Sequence, residues 1–439
     1  MVIPLEELIK FSVNSRFDDV PPPVIHQMKR SLVLMIGNCV AISNDSTMEQ
    51  LMKMSSDLDH GGKIGALGMP TSLPLSWTAF IYGYASHQAH LDDVHKRSLV
   101  SPTSPVASAV IAFAHNQRLS GQEMLLAVVL GTEVAVRTGL VLGPAHRQRG
   151  WYPTATAGYV GAITAGAKAR NLDLLRFTHA LGLASLATGT IEPRTSAGLG
   201  LTVGRAAYNA ANAVLLAEGG FTSSVMAVVG RKGYLNVASH QPDLELLSGG
   251  LGETWHIPDI VVKPMPYEPE LYPVLLCASL LGMQLKNMQS RCKRVDVWLP
   301  ETLLDYVSSA SGERNAWFQY TLQRTVQLGT NPGNINSLED GHYCLNDDEI
   351  PLVTFHVNRE LHLLETNMVA TLIDGSLVRQ HVTRTHEEYL NLWKGISDEE
   401  LSNRFTHQVS RRMKPNEAHE LLDTLWHLDE VKDVSELFT

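Results

Sequence analysis

The run Arg149-Gly-Trp-Tyr-Pro-Thr-Ala-Thr-Ala-Gly158 sets a guanidinium, two aromatic rings and a proline in front of a stretch of small residues. Proline is tolerated in a first helical turn, where its missing N–H costs no hydrogen bond. The free N–H groups of that turn, with Arg149 beside them, would form a place for an anion. Ala155, Ala157, Gly158, Gly161, Ala162, Ala165 and Gly166 behind it would let another helix come close. This pattern reads either as the wall of a buried carboxylate pocket or as a tightly packed helix start carrying a surface arginine. Asp92 and Asp93 are adjacent, and like charges side by side raise the pKa of one of the pair. One of them would then be a base, or one would cap the following segment while the other is solvated. His95 is of the type that titrates near physiological pH; surface packing is the alternative. Lys263, between Val262 and Pro264, is either a buried cation or a lysine whose head reaches back to water.

The elements that must position these groups are mostly helical. At 439 residues the chain is too long for one core, so two domains are expected. From about Ile3 to Gly252 helical patterns follow one another. One starts near Val24 after Pro21–Pro23, one runs from Val106 to His115, and others cover Leu174 to Thr188 and Arg205 to Glu218. Ser120-Gly-Gln-Glu123 is a capping box ahead of Met124. Several of these helices are apolar on most sides and rich in Ala and Gly, as central helices of a large bundle are. After Pro258 the pattern changes. Lys293–Pro300, Leu352–Val357 and Asn367–Ile373 read as strands, the last followed by the turn signal Asp374-Gly375. Helices from Pro273 to Leu285 and from Trp317 to Leu328 lie between them, Asn331 to Asp348 reads as a loop, and the tail Asp398 to Leu437 is helical. The expected fold is mainly α. A large all-helical domain takes residues 1–262 and 398–439, and a smaller α+β lid takes 263–397.

Bulk properties exclude some functions. A formal charge of -10 forces no basic face, so no nucleic-acid partner is expected. No apolar run is read as a membrane span. Residues Met1 to Lys10 carry Glu6 and Glu7 and no basic n-region, so no signal peptide is suggested. Cys39, Cys277, Cys292 and Cys344 lie far apart without a CxxC pair and read as reduced cytoplasmic thiols. There is no Walker loop, Rossmann fingerprint or HExxH. Gly198-Leu-Gly200 lacks the third glycine, and His87 with His90 is a weak metal pair, so neither a cofactor nor a metal is expected.

In order along the chain stand Gly83-Tyr-Ala-Ser-His-Gln-Ala-His-Leu-Asp-Asp93, Ser104-Pro-Val106, Gly131-Thr-Glu-Val-Ala-Val-Arg137, Arg149 to Thr156, Gly204-Arg-Ala-Ala207 and Lys263-Pro-Met-Pro266. With these the sequence resembles the MmgE/PrpD family of dehydratases, decarboxylases and epimerases over roughly Pro4 to Phe405. The resemblance implies a homodimer, a helical domain with an α+β lid, and an active site between the two. It also implies chemistry that begins with removal or replacement of a proton beside a carboxylate or imine carbon. That step needs a base with a pKa near neutrality and donors aimed at the developing enolate oxygen.

Departures from the family pattern point to a changed substrate. Ser101 stands where the family's dehydratases and decarboxylases carry a histidine, and Tyr152 stands at another histidine position. Leu199-Gly-Leu-Thr202 replaces a Lys-Arg-Leu-His run, and Glu268 falls near a further histidine position. Asp92, Asp93, His95, Arg149, Arg205 and Lys263 remain. The implied assignment makes Asp93 and His95 the acid–base groups and Tyr152 the proton-bearing donor. Lys263, with Arg149 and Arg205, would hold an anionic group; Asp92, Ser101, Thr202, Tyr267 and Glu268 would line the substrate. With so many cations gone, the small-molecule substrate should be less anionic than citrate, as in a specialised pathway. The expected activity is that of a cofactor-independent lyase or isomerase; the other reading is an inactive relative that binds a ligand or partner subunit.

Overall fold

The structure, a computed structural model, describes residues 3–43, 46–58, 64–66, 69–88, 90–186, 196–263, 265, 267–307, 313–328, 351–362, 364–410 and 412–438. The chain opens with α1 (Pro4–Asn14), α2 (Pro22–Ile42), α3 (Ser46–Leu58), β1 (Ile64–Ala66), β2 (Met69–Leu73), α4 (Leu75–Gln88), β3 (Asp93–His95) and α5 (Thr103–Gln117). Next come α6 (Gly121–Gln148), α7 (Pro153–Ala169), α8 (Leu174–Gly182), α9 (Ser196–Glu218), α10 (Met226–Val229), α11 (Tyr234–Ala238) and β4 (Ile260–Val262). Then follow α12 (Tyr272–Asn287), β5 (Cys292–Leu299), α13 (Leu304–Val307), α14 (Glu313–Leu328), β6 (Leu352–Val357), β7 (Thr366–Leu372) and β8 (Leu377–Val382). The chain closes with α15 (Glu387–Leu392), α16 (Asp398–Val409) and α17 (Pro415–Trp426). Two compact units result. One comprises Met1–Pro193, Ala197–Val262 and Ile396–Thr439; the other is built on Lys263–Gly395.

The first unit is helical around α6. Its start is fixed by the Ser120–Glu123 capping box, in which each residue's side chain accepts from the other's backbone N–H. Helix α6 is the one described helix long and apolar enough to cross a membrane, contrary to the sequence expectation, and 94% of its most apolar window is buried. It serves as the central core helix. Helix α7 packs on it closely: a Cβ at Gly161 would stand 2.3 Å from the Gly131 carbonyl, and one at Gly131 would stand 2.6 Å from that of Gly161. The small residues of α7 are therefore there for helix contact.

The buried ions of α6 are structural. Arg137 meets the Glu133 carboxylate at 2.8 Å and donates to the carbonyls of Gly249 and Thr254, each at 2.8 Å, while Glu133 also accepts the His256 N–H at 2.9 Å. This pair fastens the 246–256 segment to the core. Ion pairs Lys29–Asp429 and Arg30–Asp398 hold the C-terminal segment against α2. Helix α9 begins at Ser196, not at Arg205. Its early glycines are poor helix formers, but Gly204 faces α4 so tightly that a Cβ there would lie 2.6 Å from the Phe80 carbonyl. Helix α8 ends at Gly182 and continues as a 3-10 turn to Leu186, and the expected end at Thr188 lies outside the described residues. Two short antiparallel ladders, β1–β2 and β3–β4, also belong to this mainly helical unit.

The second unit is a four-stranded sheet in the order β6-β5-β7-β8. Strand β5 pairs in parallel with β6 and antiparallel with β7, which pairs antiparallel with β8. Val295, Val297 and Leu299 alternate into a core shared with Met368, Ala370 and Leu372. Helix α12 packs against β7, β8 and α14. Strand β8 was not foreseen, because as a largely exposed edge with Arg379, Gln380 and His381 it carries little apolar alternation. The Asp374-Gly375 turn, with Gly375 at φ 87, joins it to β7. The expected loop at Asn331 to Asp348 and Cys344 lie outside the described residues.

Replacing Arg137 with alanine would leave the Glu133 carboxylate buried without its cation and should cost about 3–5 kcal/mol in urea unfolding. The joint Arg137→Met, Glu133→Leu variant should lose clearly less; equal losses would show that the uncompensated charge is not what matters.

Candidate active site

The last turn of α4 and strand β3 bring the acidic pair among apolar neighbours. Asp93 lies opposite Val262 and His95 opposite Ile260 in the β3–β4 ladder. Both side chains are buried, as is that of Asp92. Thr103, the first residue of α5, donates its hydroxyl to Asp93 Oδ2 at 2.5 Å, and Asp93 Oδ1 is buried. Burial pushes the Asp93 carboxyl up to about 6, helped by the neighbouring charge of Asp92 and opposed by hydroxyls of Thr103 and Ser31. This carboxyl is thus poised to change charge close to neutral pH.

Asp92 has a different partner. Its Oδ2 lies 2.7 Å from His87 Nδ1, and His87 Nε2 lies 2.5 Å from the Tyr152 hydroxyl. All three side chains are buried. His87 comes from α4, and Tyr152 from the extended residue that precedes Pro153 and caps α7. A residue before proline is pushed to extended backbone, so Pro153 both starts the helix and aims Tyr152 away from it. Nearby, the Ser101 N–H donates to Thr154 Oγ1 at 3.1 Å, tying the loop before α5 to the first turn of α7.

His95 differs from expectation. Its Nδ1 accepts the Ser98 N–H at 3.1 Å and meets the Ser98 hydroxyl at 2.9 Å, so a neutral ring carries its proton on Nε2, which is buried and unpartnered. Burial, then His256, Arg97 and Lys96, push its pKa down to about 3. It therefore stays neutral and does not titrate near physiological pH.

The two arginines are likewise not part of a buried anion site. Arg149 is exposed at the C-terminal cap of α6, where its guanidinium lies 3.4 Å from His240 Nδ1, so the segment around it is a packed helix start with a surface arginine. Arg205 is exposed in the middle of α9 and has no helix N-terminus to complement. The Thr202 hydroxyl donates to Gly198 O of its own helix at 2.8 Å. Lys263, directly after β4, is buried. In the second unit, the Tyr267 hydroxyl lies 2.6 Å from Thr321 Oγ1 and its ring meets Phe318 edge-on, while Glu268 is buried ahead of the short turn Pro269–Leu271.

The sequence reading missed His87. Its one signal was a polar ring on an otherwise apolar helix five positions before an aspartate, and as a supposed metal partner of His90 it was set aside. Its Nε2 instead meets the Tyr152 hydroxyl, and its Nδ1 lies at ion-pair distance from Asp92. Among the described residues no group of three or more His, Cys, Asp or Glu side chains could hold a metal ion.

A mainly helical unit with buried titratable side chains, in a chain that also holds a small α+β unit, defines the class. Residues 6–247, more than half of the chain, match the MmgE/PrpD N-terminal domain, and the protein belongs to the MmgE/PrpD family. At family level this carries a lyase- or dehydratase-like enzymatic function. No curated protein is similar enough to serve as a named relative.

Burial keeps the Asp93 proton on the folded protein to higher pH than on the unfolded chain. Folding stability tied to this group is therefore lost as pH rises from the ordinary 3.8 through about 6. Relative to wild type, Asp93→Asn should remove a loss on the order of 2–3 kcal/mol between pH 4 and pH 7, measured by urea unfolding at each pH. An identical pH dependence in the two proteins would contradict this environment for Asp93.

Proposed function

We propose that the protein is a cofactor-independent lyase or isomerase that removes and returns a proton beside a carbonyl or carboxylate carbon of a small metabolite. The observation that carries this reading is the Asp93 carboxyl: buried, held through Oδ2 by the Thr103 hydroxyl, and pushed by burial up to about 6. Such a group matches the operating pH of proton transfer from carbon. Neutral His95 is a hydrogen-bond donor in this reading, through Nε2, and not a titrating base. Tyr152 is a second proton-bearing group. Exposure of Arg149 and Arg205 supports a substrate less anionic than citrate, since neither is placed to neutralise a buried carboxylate. The family resemblance supports a homodimer and, with its altered site, a specialised pathway.

The test is exchange of carbon-bound protons in deuterated water, followed by NMR, across a panel of small hydroxy- and keto-acids that includes 2-methylcitrate. Exchange with a panel member should rise with pH through about 6 and fall about 100-fold or more in Asp93→Asn. Ligands that raise the melting temperature without any exchange would mark a binding protein and overturn the proposal. Rapid turnover of 2-methylcitrate would overturn the changed substrate class.

A further inference from the structure

We infer that Tyr152, His87 and Asp92 form a proton relay in which Tyr152 is the catalytic group and His87 holds its proton. The inference rests on the proton-transfer reading above and adds a second transfer group to Asp93. Its polarity follows from the chemistry of the partners. Asp92 Oδ2 approaches His87 Nδ1 to 2.7 Å, an ion-pair distance without hydrogen-bond geometry, and the relay assigns the imidazole proton to Nδ1, on the side of that carboxylate. With the proton there, Nε2 of the neutral ring carries a lone pair, and in the relay the Tyr152 hydroxyl 2.5 Å away donates to it.

This is the arrangement of an activated hydroxyl, a base and an orienting carboxylate, with a phenol in the place of the hydroxyl. Because the hydroxyl is already engaged as a donor, the oxygen can receive a proton from a substrate carbon. The C–H bond breaks, and its electron pair stays on the substrate as an enolate. A new O–H bond forms on Tyr152, while the original phenol proton moves to His87 Nε2. The imidazolium so formed faces Asp92. In the return step His87 Nε2 gives its proton back to the phenol oxygen as Tyr152 protonates the substrate, so no atom or electron is left over. Tyr152 is catalytic in this scheme; Asp92 is a positioning residue that sets the histidine tautomer.

The tautomer is measured without any substrate, by imidazole nitrogen–proton correlation NMR on histidine-labelled protein, with His87→Gln identifying the His87 signals. The wild type should carry the proton on Nδ1, and Asp92→Asn, whose amide can donate to Nδ1, should move it to Nε2. A wild-type proton on Nε2, or no response to Asp92→Asn, would overturn the relay. The kinetic arm uses whichever acid of the panel above exchanges with the wild type. Tyr152→Phe, with its fold checked by circular dichroism, should slow that exchange about 100-fold, and Asp92→Asn should also slow it. Exchange at the wild-type rate in Tyr152→Phe would overturn the catalytic role while leaving the lyase–isomerase reading intact. No exchange in the wild type, with the tautomer in place, would overturn that reading and the relay's catalytic role with it.

Discussion

Two carboxyl groups that follow one another in the chain are both buried, and the site is organised around giving each a separate partner. A buried, unpaired carboxylate is costly. Asp92 is placed against the His87 ring, whereas Asp93 is placed against the hydroxyls of Thr103 and Ser31. The two environments differ enough to divide the work: one carboxyl orients a neighbour, and the other is held where its charge changes near neutral pH. Residues from α4, β3, α5 and the start of α7 must all be in place for that division.

The helical scaffold explains how they are. Close contact of α6 with α7 fixes the helix whose first turn carries Thr154 and whose cap is Tyr152. The β3–β4 ladder fixes Asp93 and His95. The buried Glu133–Arg137 pair secures the segment that leads to β4. The family motif around residues 131–137 is thus accounted for by packing and by anchoring of the backbone.

Local signals in the sequence were enough to find much of this. The capping box at Ser120, the proline-led start of α7 and the alternation in β5 through β7 depend on nearby residues, and each was legible. What depends on distant packing was not. The beginning of α9 is hidden by glycines that exist for its crossing with α4, and β8 by the polarity of an edge strand. Asp93 and Tyr152 stood out in the sequence and both are buried, but the contact of His87 with Tyr152 could be seen only once α4 and the start of α7 were placed together. Charge was the least legible property: Arg149 and Arg205 looked like anion ligands by position in a motif, yet both face solvent.

The account depends on Asp93 carrying a proton at a pH where an ordinary aspartate has lost it. Carbon-13 NMR of labelled aspartate carboxyls, with Asp93→Asn used for assignment, follows that titration in the folded protein. A midpoint near pH 6 is the predicted result; a midpoint at the ordinary 3.8 would contradict the account.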